Sequence, residues 1–203
     1  LEAGKSELAA RLAVRLNATV VNDETTENPF LEDFYAGTPG AAFQTQLFSL
    51  LARHRQQITL RQTNLFSQTT ICDYLFDKDK IYAYLNLDDN ELFIYQRLFD
   101  LLVRDIVSPD IAIFLQAPPE VLCDRLEEHA RHDPELRLPD TDYIRELCEA
   151  YNHFFFHYTA TPLLVVDTSY FDLGWTDETI DDLIKQLEEM TGGTRYYVPR
   201  IEP

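Results

Sequence analysis

The sequence contains little cysteine and no long apolar run. Its three cysteines, Cys72, Cys123 and Cys148, lie far apart and form no C-x-x-C pair. This pattern argues against structural zinc and is typical of a reduced, cytoplasmic compartment. Because no apolar run approaches the ~20 residues that cross a bilayer, we expect a cytoplasmic protein that does not bind membranes.

Positive charge is also scarce. Lysine and arginine together number 17 against 35 aspartates and glutamates, which gives a formal net charge of −18 at pH 7. A surface this acidic repels the phosphates of DNA and RNA, so the composition excludes a broad nucleic-acid interface. A phosphorylated ligand would need a local basic site and a divalent cation. The charge has a simpler interpretation as a well-solvated surface.

The sequence does contain enough apolar material for one globular core. It has 203 residues, of which 45% are hydrophobic and 12% aromatic. No internal repeat, low-complexity tract or linker interrupts the pattern. We therefore predict a single domain over residues 1–203.

Hydrophobic periodicity predicts an alternation of helices and strands. The predicted helices cover residues 7–16, 41–61, about 88–106, 119–131, 140–157 and 176–190, with a short helix and a turn between 27 and 40. The predicted strands cover residues 18–21, 67–72, 111–115 and 163–166. The tail from residue 191 is predicted to be irregular.

Short apolar strands that alternate with longer helices indicate an α/β fold, with a parallel sheet covered by helices on both faces. A further strand ending at residues 1–2 would bring the count to five. Ligands of such sheets bind at the carboxyl ends of the strands. Groups suited to phosphate chemistry recur at these ends. They are Gly4-Lys5-Ser6, Asp23-Glu24 and Asp73.

Gly4-Lys5-Ser6 matches the second half of a phosphate-binding loop, G-x-x-x-x-G-K-[ST]. In such a loop backbone N–H groups hold the phosphates, the lysine reaches the β- and γ-phosphates, and the hydroxyl binds Mg²⁺. The first glycine of the motif is not in the sequence. The alternative is three common residues before an ordinary helix.

Several stretches, taken in order, resemble the deoxynucleoside kinase family of P-loop kinases. AGKSELAARLA is similar to the end of that family's P-loop and its first helix, and DETTENPFLEDFY to the acidic segment after its second strand. FQTQLFSLLARHRQQ resembles its substrate-facing helix, and PDIAIFLQAPPEVLCDRL the strand and helix that lead to its lid. The resemblance covers about residues 1–170. It implies the P-loop kinase fold, with a five-stranded parallel sheet and a helical lid.

The resemblance implies that ATP and Mg²⁺ are bound by the start of the chain and by the lid. Gly4, Lys5 and Ser6 would hold the phosphates, with Lys5 at the β- and γ-phosphates and Ser6 at Mg²⁺. Arg125 would lie near the adenine of the donor, and Arg131 would face the transferring phosphate. His129 stands where an arginine is common, so the positive charge of the lid is reduced.

A carboxylate after the second strand would act as general base on the 5′-hydroxyl of the nucleoside. Counting back from Asn28-Pro29 assigns this role to Asp23. The family's use of glutamate favours the adjacent Glu24 instead. Both acids also have an interpretation as helix-capping or solvated residues.

The resemblance assigns the nucleoside to three further segments. Tyr35 would contact the sugar 3′-hydroxyl, and Glu135 the sugar. Gln46 and Arg53 are seven residues apart, so they share one helix face. They would contact the base edge, with Gln44 as a rival to Gln46. The alternative for Tyr35 is an aromatic residue of the core, and the alternative for Arg53 is a surface arginine. Asp77 and Asp79 are further candidates to contact the nucleobase.

The sequence departs from the family pattern after its predicted strand 67–72. The family has an acid-Arg-Ser triplet there, with the arginine near the reacting phosphate, whereas this chain has Asp73 followed by Tyr74. Asp73 would still order Mg²⁺ through water, and Lys78 or Lys80 would supply the cation. The loss puts efficient catalysis in question, because a cation at a transferring phosphoryl group contributes strongly.

The function that these residues predict is transfer of the γ-phosphate of ATP to the 5′-hydroxyl of a deoxynucleoside. The stretch ENPFLEDFY favours a purine. The resemblance also implies a homodimer. One alternative is a catalytically impaired module with a binding or structural role, which Tyr74 would explain. Another is a P-loop kinase for a different small molecule such as a nucleotide, which would require more cations near Asp73.

Overall fold

The computed structural model describes residues 3–23, 28–63, 69–132, 138–170 and 174–199. Within these ranges it contains eight α-helices and five β-strands. The helices are α1 Lys5–Leu16, α2 Leu31–Tyr35, α3 Ala41–Thr63, α4 Asp79–Asn86, α5 Asp89–Leu102, α6 Pro119–His132, α7 Thr141–Phe156 and α8 Asp177–Glu188. The strands are β1 Thr19–Val21, β2 Thr70–Cys72, β3 Ala112–Gln116, β4 Leu163–Asp167 and β5 Thr194–Tyr197.

The chain divides into two compact units, one of which comprises residues 18–107. Its two strands are parallel, with Thr19 opposite Thr70 and Val21 opposite Cys72. Three helices, α3, α4 and α5, surround its apolar core. The fully or almost fully buried members of this core are Leu50, Phe76, Ala83, Tyr95 and Phe99.

The segment before α4 is a short 3₁₀-helix, Phe76–Lys78, and α5 begins with a capping box. In this box the Asp88 side chain accepts hydrogen bonds from the backbone N–H groups of Asn90 and Glu91, at 2.8 and 2.9 Å. The Glu91 side chain accepts from the Asp88 backbone N–H at 3.2 Å. These bonds satisfy donors that a helix start leaves without intrahelical partners.

The second unit comprises residues 1–17 and 108–203. Its three strands are parallel in the order β3-β4-β5. The central strand β4 is a nearly continuous apolar run, as expected for a parallel strand that is buried on both faces. Helix α8 connects β4 to β5 and contacts α1, where Arg15 forms an ion pair with Asp181. Trp175, just before α8, is buried.

Most predicted elements are confirmed, with ends that differ by a few residues. Residues 67 and 68 of one predicted strand lie outside the described residues. The prediction of an irregular tail is wrong, because residues 194–197 form β5. Helix α4 was not predicted, since its eight residues are too few for a clear periodicity.

The prediction of an α/β fold with parallel strands is confirmed. The strands of the described residues lie in one sheet of two and one of three, so the single five-stranded sheet stays a prediction. The single domain over residues 1–203 also stays a prediction. In the part of the chain that the structure describes, no helix combines the length and the apolar composition needed to cross a membrane.

Candidate active site

Two aspartates lie at the carboxyl ends of the neighbouring strands β1 and β2. The backbone N–H of Asp73 donates to Val21 O at 3.0 Å and so extends the pairing of the strands. The Asp73 side chain in turn accepts a hydrogen bond from the Asp23 backbone N–H, at 2.8 Å from Oδ1. The predicted meeting of Asp23 and Asp73 at one edge of the sheet is therefore observed.

The Asp23 carboxylate is held by two cations. From α3, Arg53 donates Nε to Oδ1 at 3.1 Å and Nη2 to Oδ2 at 3.0 Å. From the 3₁₀-helix, Lys78 Nζ donates to Oδ2 at 2.7 Å. The Asp23 side chain is 16% exposed. Burial acts to raise the pKa of Asp23, but the charges and hydrogen bonds of Lys78 and Arg53 outweigh it and lower the pKa to about 2. Asp23 is thus ionised at neutral pH.

A second carboxylate, Asp79 at the start of α4, lies on the other side of the same arginine and is fully buried. Arg53 Nη1 forms an ion pair with Asp79 Oδ1. Oδ2 accepts from Gln46 Nε2 at 2.8 Å and from Tyr95 Oη at 2.9 Å. Burial raises the pKa of Asp79, and Arg53 opposes this rise.

Gln46 and Arg53 share one helix face, as predicted, since both reach Asp79. Gln46 is buried, whereas its rival Gln44 is exposed, so the geometry places Gln46 in this cluster. Tyr35 lies in α2 and is 46% exposed, which excludes the core alternative. Its ring packs beside Phe34, with the ring centroids 5.4 Å apart.

Tyr74, which follows Asp73, is a buried neutral phenol. Its Oη accepts a hydrogen bond from Gln57 Nε2 at 3.0 Å, and burial raises its pKa well above the usual range. The side chains of the two lysines that were candidates to replace the arginine contact different groups. Lys78 reaches Asp23, whereas Lys80 Nζ lies 3.4 Å from Asp77 Oδ1 and 4.2 Å from the centroid of the Phe99 ring.

Asn28 fixes the chain after Asp23 to helix α3. It is buried, and its Nδ2 donates to Thr45 O at 2.9 Å and to Ser49 Oγ at 3.1 Å. Its Oδ1 accepts from the Phe30 backbone N–H at 3.0 Å. In the sequence, Asn28 served only to set the register, and neither this role nor the bond from Tyr95 to Asp79 was predicted. The available signal for Asn28 was a polar residue directly before the apolar run Pro29-Phe30-Leu31.

The other candidate residues with described positions lie in the second unit. Gly4 caps α1 with a φ of 79°, a left-handed conformation that favours glycine, and it provides no side-chain cap. Lys5 and Ser6 are exposed in the first turn of α1. In α6, Arg125 Nη2 donates to Thr168 O at 2.6 Å, and Arg131 is exposed near the helix end. The candidates Glu24 and Glu135 lie outside the described residues.

Comparison with known proteins agrees with the resemblance. The family model for deoxynucleoside kinases matches residues 1–191. The chain is 29% identical over 150 residues to a deoxyguanosine kinase of Bacillus subtilis (strain 168), covering 73% of this chain and 72% of that protein. It is 26% identical over 193 residues to the deoxyadenosine/deoxycytidine kinase of the same organism, covering 91% and 86%.

A solved structure of deoxyadenosine kinase from M. mycoides, with the products dCMP and a flexible dCDP bound, has the same fold. The TM-score is 0.74 at 24% sequence identity, with 93% of this chain and 95% of that chain covered. Since the family model spans nearly the whole sequence, the chain belongs to the deoxynucleoside kinase family. The predicted enzyme class is thereby confirmed at the level of the family. The homodimer and the cytoplasmic location stay predictions.

Proposed function

We propose that the protein transfers the γ-phosphate of ATP, bound with Mg²⁺, to the 5′-hydroxyl of a deoxynucleoside. The observation that carries the proposal is the ionised carboxylate of Asp23, which Arg53 and Lys78 hold at the carboxyl end of β1. Membership of the family supplies the reaction class. A purine is favoured as the base, in line with ENPFLEDFY and with the names of the relatives.

In this reaction the 5′-oxygen forms a bond to the γ-phosphorus, and the bond from that phosphorus to the β–γ bridging oxygen breaks to leave ADP. The hydroxyl proton passes to Asp23. In the described structure Oδ1 accepts one hydrogen bond, from Arg53, whereas Oδ2 accepts one from Arg53 and one from Lys78. Each carboxylate oxygen has about two acceptor sites, so Oδ1 retains one for the hydroxyl.

The proposal assigns the phosphates of ATP to Gly4, Lys5 and Ser6, and the rest of the donor to Arg125 and Arg131. Backbone N–H groups at a helix start and a lysine side chain are suited to phosphate oxygens. Arg125 donates to the carbonyl and the hydroxyl oxygen of Thr168.

Mg²⁺ fits the donor types that are present. Within the described ranges no group of three or more histidine, cysteine or carboxylate side chains could hold a metal by itself. Mg²⁺ does not need one, because it is usually bound by one or two carboxylates together with substrate phosphates and water. The Ser6 hydroxyl is the candidate that would bind the ion directly, and Asp73 the candidate that would order it through water. The ion would offset the charge that develops on the phosphates.

The deoxynucleoside is assigned to Gln46, Arg53 and Tyr35, with Asp77 and Glu135 as further candidates. The amide nitrogen of Gln46 donates to the backbone oxygen of Asp79 at 2.9 Å and to its carboxylate. The nitrogen is thus committed inside the protein, and the amide oxygen is the atom of Gln46 that would accept from a base. The 6-amino group of adenine and the ring N–H of guanine are donors of the required kind.

A coupled assay of ADP formation from ATP and Mg²⁺, with each of the four deoxynucleosides, tests the proposal. We expect turnover with at least one purine deoxynucleoside. Lys5→Ala should lower kcat by about two orders of magnitude or more, since a preorganised charge at the transferring group is removed. The exposed Lys185 of α8 provides a matched control, and Lys185→Ala should retain full turnover.

Tyr74 favours one other function, that of a kinase-like binding module without catalysis. A folded protein that produces no ADP with any of the four deoxynucleosides would overturn the proposed activity. Binding of a deoxynucleoside in calorimetry under the same conditions would then support the module. Unchanged kcat in Lys5→Ala would show instead that Gly4-Lys5-Ser6 is an ordinary helix start.

A further inference from the structure

The structure brings a lysine, Lys78, to the candidate base Asp23. The sequence lacks the arginine that the resemblance leads one to expect near the reacting phosphate. We propose that Lys78 is a positioning residue for phosphoryl transfer, whose ammonium supplies the charge that fixes the Asp23 carboxylate and leaves Oδ1 to take the hydroxyl proton. The proposal rests on the deoxynucleoside kinase activity proposed above. It gives the reaction a group that neither the motif nor the resemblance identifies.

The first argument is geometric. The 2.7 Å contact of Lys78 Nζ is made to Oδ2 of Asp23, and that oxygen also accepts Arg53 Nη2. Oδ1 receives one bond, from Arg53 Nε at 3.1 Å. The two carboxylate oxygens are thus bonded unequally, since Oδ2 accepts two hydrogen bonds from the cations and Oδ1 accepts one. Lys78 fills the side away from Oδ1, and the orientation of the carboxylate depends on its presence.

The second argument is the balance of charge. Arg53 pairs with Asp23 and with Asp79, so one guanidinium serves two carboxylates. Lys78 is the second cation that pairs with Asp23. With Asp73 close by, these two cations face three carboxylates. The Lys78 side chain is 11% exposed and that of Asp23 16%, so water replaces a lost charge poorly. Without Lys78, Asp23 and Asp79 would compete for Arg53.

The neighbouring groups do not take over this role. Lys80 lies against Asp77 and the Phe99 ring. Tyr74 is neutral and accepts its bond from Gln57. Among the described residues, the charged or titratable groups around Asp23 are Arg53 of α3, Cys72 of β2, the following Asp73 and Tyr74, Lys78 of the 3₁₀-helix and Asp79 of α4. Of these, Arg53 and Lys78 are the cations.

The test compares kcat and KM for the preferred deoxynucleoside, at one neutral pH, in a set of lysine variants. Lys78→Met removes the charge and keeps the length of the side chain. We expect kcat to fall roughly 10- to 100-fold, as for a displaced reacting group. KM should change little, since Lys78 contacts Asp23 and is not assigned to the deoxynucleoside or to ATP. A general loss of structure would instead change both parameters.

Three further variants separate charge from packing. Lys80→Met, which removes the rival lysine, should leave kcat as it is, and Lys185→Met on α8 should have no effect. Lys78→Arg keeps the positive charge and should retain most of kcat. Circular dichroism verifies folding, and Lys78→Gln replaces Lys78→Met should the latter not fold.

Two results would overturn the proposal. The first is a kcat in Lys78→Met or Lys78→Gln that equals that of the unaltered protein. The second is a loss of kcat in Lys78→Arg as large as in the neutral variants, because charge would then not be the cause. Loss of the proposed function itself has a different signature, since the unaltered protein and every variant would then produce no ADP.

Discussion

Asp23 and Asp79 bind the same guanidinium, yet their pKa values move in opposite directions. Asp23 has Lys78 as a second cation, and its pKa falls to about 2, whereas complete burial raises the pKa of Asp79. A carboxylate with so low a pKa is a weak base at neutral pH. Phosphoryl transfer tolerates this, because its transition state is loose and depends mainly on positioning and charge. Asp23 would therefore orient the hydroxyl and take its proton as the transfer proceeds.

Asp23→Asn tests this role at the residue scale. It removes the charge and keeps the shape, so kcat should fall by ~10²–10⁴-fold, the usual contribution of a general base, with nucleoside binding largely retained. Glu24→Gln should cause a much smaller loss, because side chains of adjacent residues in extended chain point to opposite sides. Steady-state kinetics with the preferred deoxynucleoside provide the measurement.

The exposed Asp100 of α5 offers a control for the same chemical change, and Asp100→Asn should leave kcat as it is. If Glu24→Gln loses more activity than Asp23→Asn, the register counted from Asn28 is wrong by one residue. The base would then be Glu24, and the ion pairs of Asp23 would have a structural role.

Sequence patterns placed Asp23 and Asp73 at strand ends, and Gln46 with Arg53 on one helix face. They did not predict the ion pair between Arg53 and Asp23. Strand ends meet at one edge of a parallel sheet, and residues seven apart share a helix face. The patterns left the choice between Lys78 and Lys80 open, because the short 3₁₀-helix at Phe76–Lys78 decides which lysine points to Asp23. The bond from Tyr95 to Asp79 spans two helices and depends on how they pack, which no local pattern contains.

At the scale of elements, the long helices and the apolar strands β3 and β4 were predictable because their burial imposes a clear period. Strand β5 was missed because only its Arg195 and Tyr197 are half-buried, while Thr194 and Tyr196 are exposed. In addition, the glycines before it are typical of loops. Such an edge strand forms through pairing with β4, so its stability comes from a neighbour 30 residues away in sequence.

Helix α5 is the element whose start should matter most, since it carries Tyr95 and Phe99 into the core and Tyr95 to Asp79. Asp88→Ala removes both hydrogen bonds that the Asp88 side chain accepts in the capping box. We expect a loss of about 0.5–2 kcal/mol in the free energy of unfolding, the usual cost of such a cap. Urea titration monitored by circular dichroism measures it.

Asp89→Ala is the neighbouring control. Asp89 is exposed and is the first residue of the helix, so its loss removes a favourable charge near the helix start and no capping bond. Its effect should be the smaller one. A larger loss for Asp89→Ala would indicate that the helix dipole, and not the capping box, stabilises the start of α5.

For the whole molecule, the dominant property is the excess of acidic side chains, 35 against 17 basic ones. Like charges repel one another more in the compact state than in the unfolded chain, so a net charge of −18 destabilises the fold. Ion pairs act in the opposite direction. Those around Asp23 are largely buried and are therefore screened less by salt than exposed charges are.

Salt should accordingly stabilise the protein. At about 1 M NaCl the Debye length falls to ~3 Å, which suppresses repulsion between surface carboxylates, and we expect the urea midpoint at pH 7 to rise. Near the isoelectric point of about 4.5 the net charge vanishes, so the same concentration of NaCl should have little effect on the urea midpoint there. A lower midpoint in salt at pH 7 would mean that ion pairs contribute more to stability than repulsion removes.

Trp175 gives one of the two units a fluorescence signal of its own. It is the single tryptophan of the sequence, is 1% exposed and belongs to the unit of residues 1–17 and 108–203. Its fluorescence, excited where tyrosine does not absorb, reports the unfolding of that unit, whereas far-ultraviolet dichroism reports helices of both. Coincident denaturation curves from the two signals would indicate one cooperative structure. Curves that separate would assign each transition to its unit without any label.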